Sequence, residues 1–209
     1  MKYNISMKGY ITMTQIEKID MLLEKQNGII QTSQVINEGI PKQTFYMYAR
    51  NRKLEQVAHG IYVSKEAWVD SMYILHLRCE QAVFSHDTAL FFHDLTDREP
   101  MQYAVTVKTG YNPSKLKNEG IQVYSIKKEL HELGLIKMKT SFGHEVYVYD
   151  MERTICDIIR SRSTIESQVF QDAMKQYAKK KNKDLRTLMK YAKELHVENI
   201  LRQYLEVLL

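Results

Sequence analysis

At 209 residues, with 44% apolar and 26% charged, the chain has ordinary globular composition and enough length for one large domain or two small ones, which excludes a wholly disordered chain. Cys79 and Cys156 stand apart in apolar-rich segments without CxxC spacing, which argues against a disulfide framework or a zinc cluster and for buried thiols. The net charge of +5 lies at the two ends: residues 1–64 carry eight Lys/Arg against five Asp/Glu, residues 65–174 thirteen against sixteen, and residues 175–209 nine against four.

The opening MKYNISMKGY lacks the apolar run of a signal peptide, and no stretch approaches the roughly 18 apolar residues of a membrane span, so a cytoplasmic protein without a membrane partner is expected. Thr14 then starts a helix with Ile16, Ile19, Leu22 and Leu23 on one face, ended by Asn27-Gly28. Ile29-Ile30 reads as a short strand. Thr32 or Ser33 caps a second helix through Val35 and Ile36, stopped by Gly39. Ile40-Pro41 leads into a third helix, Pro41 to Lys53, with proline at the first position, where no N–H is required. Its Phe45, Tyr48, Ala49 and Arg52 recur at spacings of three and four and form an inward stripe. Lys42, Gln43, Tyr46, Met47, Arg50 and Lys53 form a basic, hydrogen-bonding and aromatic outer face. Two short strands follow, Leu54 to Val57 and Ile61 to Val63, joined by a His59-Gly60 turn.

That order of elements predicts a winged helix-turn-helix, in which the second helix of the motif enters the major groove of double-stranded DNA and the hairpin lies along the backbone. The candidate DNA-binding residues are Lys42, Gln43, Thr44, Tyr46, Met47, Arg50, Asn51, Lys53 and His59. Gln43 and Arg50 carry the amide and guanidinium groups that match adenine and guanine edges, and Thr44 and Lys53 suit phosphates. A single winged helix reads only a few base pairs, so two copies on an inverted repeat are expected. With no heptad to advertise a dimer seam, the free chain is expected to be a monomer.

Trp68 to Arg78 reads as a linker helix carrying Val69, Met72, Tyr73, Leu75 and His76, which closes a DNA-binding domain of residues 1–80. Residues 81–209 read as a larger C-terminal α/β domain, so the class is α+β. In it Ser85 is placed to cap a helix whose Ala89, Leu90 and Phe92 pack inward. His86 and His93 share a face with Asp87 and Asp94 alongside, too few converging ligands for a metal site. Tyr103 to Thr109, Ile121 to Ile126, Ile136 to Met138 and Glu145 to Tyr149 alternate as strands, for a sheet of three or four. Asp150 caps a helix with Ile155, Ile158 and Ile159 inward and Glu152, Arg153, Asp157 and Arg160 outward.

The rest is helical, with stripes of Val169, Phe170, Ala173 and Tyr177, of Leu185, Leu188, Ala192 and Leu195 after Asp184, and of Ile200, Leu201, Tyr204, Leu205 and Leu208. Residues 175–193 hold eight basic residues against one acid. Lys179, Lys180, Lys181, Lys183 and Lys190 are the candidates there for a second polyanion face, with RNA among its partners, against the plainer role of a solvated surface.

The sequence resembles the AbiE-family antitoxins of bacterial abortive-infection systems, in GIPKQTFYMYARNRKLEQVAHGIYV, in VFSHDTALFFHDLTD and in FGHEVYVYDMERTICDIIRS. His59 stands where many members carry arginine before the wing glycine. The resemblance implies a bicistronic antitoxin of type IV that represses its own operon at promoter inverted repeats and counters a nucleotidyltransferase-like toxin without a stable complex. Two other readings remain beside it: a ligand-responsive regulator with a C-terminal sensing domain, and a nucleic-acid enzyme using Glu152 and Asp157. No nucleophile, metal cluster or phosphate loop accompanies that pair, so a non-enzyme without cofactor is expected.

Overall fold

The computed structural model describes residues 13–208, without the side chain of Leu208. MKYNISMKGY and the Leu208 side chain, on which two of the readings above fall, lie outside the described residues. Among the described residues the chain is α+β, with ten α-helices and two small sheets, and no helix is long and apolar enough to cross a membrane. It divides into two compact units: one runs to Arg78 and takes in Lys139–His144, and the other comprises Cys79–Met138 and Glu145–Leu209. The segment Lys139–His144, placed by sequence within residues 81–209, packs with the first unit.

In the first unit, α1 (Gln15–Lys25) begins as expected, because the Thr14 hydroxyl accepts from the Glu17 N–H at 3.2 Å while the Glu17 carboxylate accepts from the Thr14 N–H at 2.8 Å. β1 (Ile29–Gln31), α2 (Thr32–Asn37), α3 (Lys42–Asn51), β2 (Glu55–Ala58), β3 (Ile61–Val63) and α4 (Ser71–Arg78) follow. β3 is the central strand of an antiparallel three-stranded sheet, ordered β1-β3-β2. Ile19, Ile30, Val35, Ile40, Phe45 and Tyr48 form the core, and Leu22, Leu23, Leu54 and Tyr62 pack on it.

Several local expectations are corrected. Ile16 stays exposed rather than inward. Neither Thr32 nor Ser33 caps α2: Gln31 precedes it and donates its N–H to the Gln34 side chain, while the Thr32 N–H and hydroxyl both bond Gly60 O in the hairpin turn. Pro41 sits one residue before the first helical position of α3. Trp68 and Val69 are exposed ahead of α4, because the Asp70 carboxylate accepts the Tyr73 N–H at 3.0 Å and sets the helix start there. The same buried Asp70 carboxylate accepts from Thr140 Oγ1 at 2.5 Å and pairs with His144 Nδ1 at 2.8 Å, while His144 Nε2 bonds Gln26 O at 3.0 Å and the Tyr73 ring stacks 4.3 Å from the imidazole. Both Asp70 carboxylate oxygens and both His144 ring nitrogens have a partner, which is the condition for burying them.

The second unit is built on a five-stranded sheet, not three or four, in the order β6-β5-β4-β8-β7: β4 (Val83–Phe84), β5 (Ala104–Lys108), β6 (Gln122–Ile126), β7 (Leu135–Lys139) and β8 (Glu145–Tyr149). β4 lies between β5, antiparallel, and β8, parallel. Two residues are too few to show an alternation, so this strand has no sequence signature. The helices are α5 (His86–Phe92), α6 (Ser114–Asn118), α7 (Met151–Arg160), α8 (Ser167–Lys179), α9 (Leu185–Glu194) and α10 (Glu198–Leu208). Ile155, Ile158 and Ile159 of α7 are fully buried with Phe170, Ala173 and Tyr177 of α8, Leu188 and Ala192 of α9, and Leu201 of α10. Asp150 and Asp184 cap α7 and α9 as expected. Cys79 and Cys156 are free and buried.

Candidate nucleic-acid interface

Gly39, at φ +76, turns the chain out of α2, and α3 starts after Pro41. Phe45, Tyr48 and Ala49 go to the core, so the helix has one buried stripe and the spacing of three and four leaves the remainder to solvent. Arg52, expected on the inward stripe, lies at its edge: its guanidinium holds both Asp20 carboxylate oxygens, at 3.0 and 3.1 Å, and the Tyr48 hydroxyl donates to the same carboxylate. Burial and the neighbouring Asp20 push the Tyr48 phenol up to about 12. This pins α3 to α1 through its back face.

Lys42, Gln43, Tyr46, Met47, Arg50, Asn51, Lys53 and His59 are all exposed, while Thr44 is half-buried. Between α3 and the β2–β3 hairpin runs an open cleft of about 640 Å³ lined by Tyr46, Ala49, Arg50, Lys53, Leu54, Gln56 and Tyr62. It brings Tyr46, Arg50 and Lys53 together; His59, at the hairpin tip, is not among its walls. Lys42 Nζ lies 5.4 Å over the Tyr46 ring, and the Tyr46 and Tyr62 rings are 6.5 Å apart. Gln56 and Tyr62 are cross-strand partners and were missed from the sequence. The signal that could have found them is the hairpin register, which places directly opposite residues on one face. No Asp or Glu occurs between Lys42 and Asn51, so the outer face of α3 carries positive charge and amide groups.

The C-terminal lysines are not equivalent. Lys179, Lys181 and Lys190 are exposed. Lys180 is half-buried with its Nζ 4.0 Å from Asp94. Lys183 donates to Ala178 O at 2.9 Å and Lys180 O at 3.2 Å, satisfying carbonyls at the end of α8.

Glu152, Arg153 and Asp157, expected to point outward, are buried, because α7 is covered on its polar side as well as its apolar one. Glu152 Oε1 accepts the Asp184 N–H at 2.9 Å and the Tyr177 hydroxyl at 3.3 Å, while Asp157 pairs with Arg153 Nε at 3.0 Å. The two carboxylates thus have separate structural partners. His86 and His93 have separate hydrogen-bond partners. His86, at φ +48, is buried with Nδ1 3.0 Å from Ser85 Oγ and Nε2 3.0 Å from Ser161 Oγ, and its ring stacks on Tyr124. His93 Nε2 bonds Tyr149 O at 2.7 Å. Ser85 precedes α5 but does not cap it; its hydroxyl is held by His86 and by Thr106, whose Oγ1 donates at 2.9 Å.

No protein-family model and no curated protein matches the chain. The fold is similar to the crystal structure of RV2827C protein from Mycobacterium tuberculosis, with a TM-score of 0.56 at 10% identity, over 92% of this chain and 73% of that one. At that identity the likeness concerns the fold alone.

Proposed function

We propose that the first unit is a winged helix that binds double-stranded DNA at inverted repeats in its own promoter, one copy per half-site. The observation that carries this reading is the exposed, acid-free outer face of α3 standing beside the two-stranded hairpin. Gln43 and Arg50 read base edges, and Thr44 and Lys53 hold phosphates. Arg50→Ala should weaken operator binding by about 1–3 kcal/mol in a mobility-shift assay, and binding should fall steeply with salt as counterions are released. Unchanged affinity after replacing Gln43 and Arg50 together would reject the placement.

The antitoxin half of the proposal rests on the resemblance in three stretches to AbiE-family antitoxins: the chain represses its own operon and protects the cell from a nucleotidyltransferase-like toxin without a stable complex. In it the C-terminal lysines engage a polyanion of the RNA class. Lys183 belongs to the fold and Lys180 has an acid beside it, so Lys179, Lys181 and Lys190 form the working part of that face. Charge reversal at these three should abolish rescue of toxin-expressing cells by the full chain while changing stability by no more than about 0.5 kcal/mol per site. A folded triple variant that still protects fully would leave these lysines as a solvated surface.

A further inference from the structure

The outer face of α3 contains one side chain that neither phosphates nor polar base edges account for. Met47 is 62% exposed in the middle of the helix. It follows Gln43 by four residues and precedes Arg50 by three, so the three lie in one line along the helix. Tyr46, its apolar neighbour, is turned to the hairpin cleft and packs near Phe45 and Tyr62, with centroids 6.2 and 6.5 Å away. Met47 is not among the residues lining that cleft. A flexible thioether in water between two hydrogen-bonding side chains has an unused apolar surface. The partner of this face is selected by charge: α3 carries Lys42 and Arg50, Lys53 follows it, and no acid interrupts the helix. In a DNA major groove the apolar feature that distinguishes one base pair from another is the thymine C5-methyl group.

We propose that Met47 is a specificity-determining residue that packs on a thymine methyl between the base pairs read by Gln43 and Arg50, so that each half-site requires a thymine there. This rests on the DNA-binding reading above and adds to it a base identity set by an apolar contact rather than by a hydrogen bond. Deoxyuridine in place of thymine deletes only the methyl and leaves every hydrogen-bonding group unchanged, which makes it a clean probe.

The experiment is a mobility-shift titration of the full chain and of Met47→Ala on the promoter duplex, with each thymine of a half-site replaced singly by deoxyuridine. The wild-type chain should lose about four-fold in affinity at one thymine, as expected for one methyl group returned to water. Met47→Ala should bind the unmodified duplex more weakly and be indifferent to uridine at that position. Wild-type binding that is intact but insensitive to every thymine-to-uridine change overturns the methyl contact while leaving DNA binding in place. A uridine effect of the same size in Met47→Ala overturns the assignment to this residue. Failure of the wild-type chain to bind the promoter duplex at all overturns the underlying reading, and the inference with it.

Discussion

Arg153→Ala should destabilise the second unit by about 3–5 kcal/mol, the usual consequence of removing one partner from a buried ion pair. Arg153 is fully buried on α7 and its guanidinium has three separate duties. Nε holds Asp157 at 3.0 Å, Nη1 donates to Leu130 O and Leu133 O at 2.8 Å each, and the guanidinium carbon lies 4.2 Å over the Tyr149 ring. Truncation strands a buried carboxylate and takes the donor away from two partly buried carbonyls. Arg153→Lys should recover only part of the loss, because a single ammonium cannot replace a planar fork that spans a carboxylate, two carbonyls and a ring face. A Cβ at Gly134, where φ is +75, would come within 2.6 Å of Arg153 Cβ, so the chain there passes directly against α7. Urea unfolding of the two variants and the wild type decides the matter. An Arg153→Lys protein as stable as wild type, or an alanine variant within about 1 kcal/mol of it, would show that the ion pair is dispensable.

Acid should destabilise the same unit through His86. Burial, followed by the positive charges of Arg160 and Arg153, pushes this imidazole down from its ordinary 6.5 to about 3. A depressed folded value means that the unfolded chain binds the proton more readily, so stability is complete above pH 6.5 and falls as the pH drops towards 3. The loss amounts to about 3 kcal/mol between pH 6.5 and about pH 4, at roughly 1.4 kcal/mol per pH unit. Burial also lowers His93 and His131, which act in the same direction, while it raises Asp87 and Asp150, which oppose it on acidification. The contribution of His86 is isolated by comparison with His86→Asn, since asparagine tolerates the left-handed backbone at φ +48. The wild-type stability curve should be steeper than that of the variant across this window. Parallel curves would mean that His86 is already protonated in the folded chain, or accessible to water.

Residue patterns made much of the architecture legible. The capping of α1, α7 and α9 by Thr14, Asp150 and Asp184 depends on a side chain reaching an N–H two or three residues on, and such reach is a property of the local chain. The outer face of α3 was legible for a similar reason. Phe45, Tyr48 and Ala49 define a single buried stripe, so Lys42, Gln43, Tyr46, Met47, Arg50 and Asn51 had to fall on the other side of a helix with 3.6 residues per turn.

The surfaces governed by one helix period or one turn were therefore readable from the chain alone: Ile19 on α1, the α3 stripe of Phe45, Tyr48 and Ala49, the hairpin, and the apolar face of α7. Groups whose partners are distant in the chain are settled by packing instead. An amphipathic pattern on α7 implies that Glu152, Arg153 and Asp157 meet water, yet they are covered because Leu130 O, Leu133 O, Tyr177 and the Asp184 N–H come from elsewhere to meet them. Asp70 and His144, 74 residues apart, find each other in the same way. Lys183 reads as one more basic residue in a charged run until the end of α8 presents it with two carbonyls. The physical reason is common to all of these: a polar group is buried only when folding supplies its hydrogen-bond partner, and neither helical spacing nor charge counting records where that partner comes from.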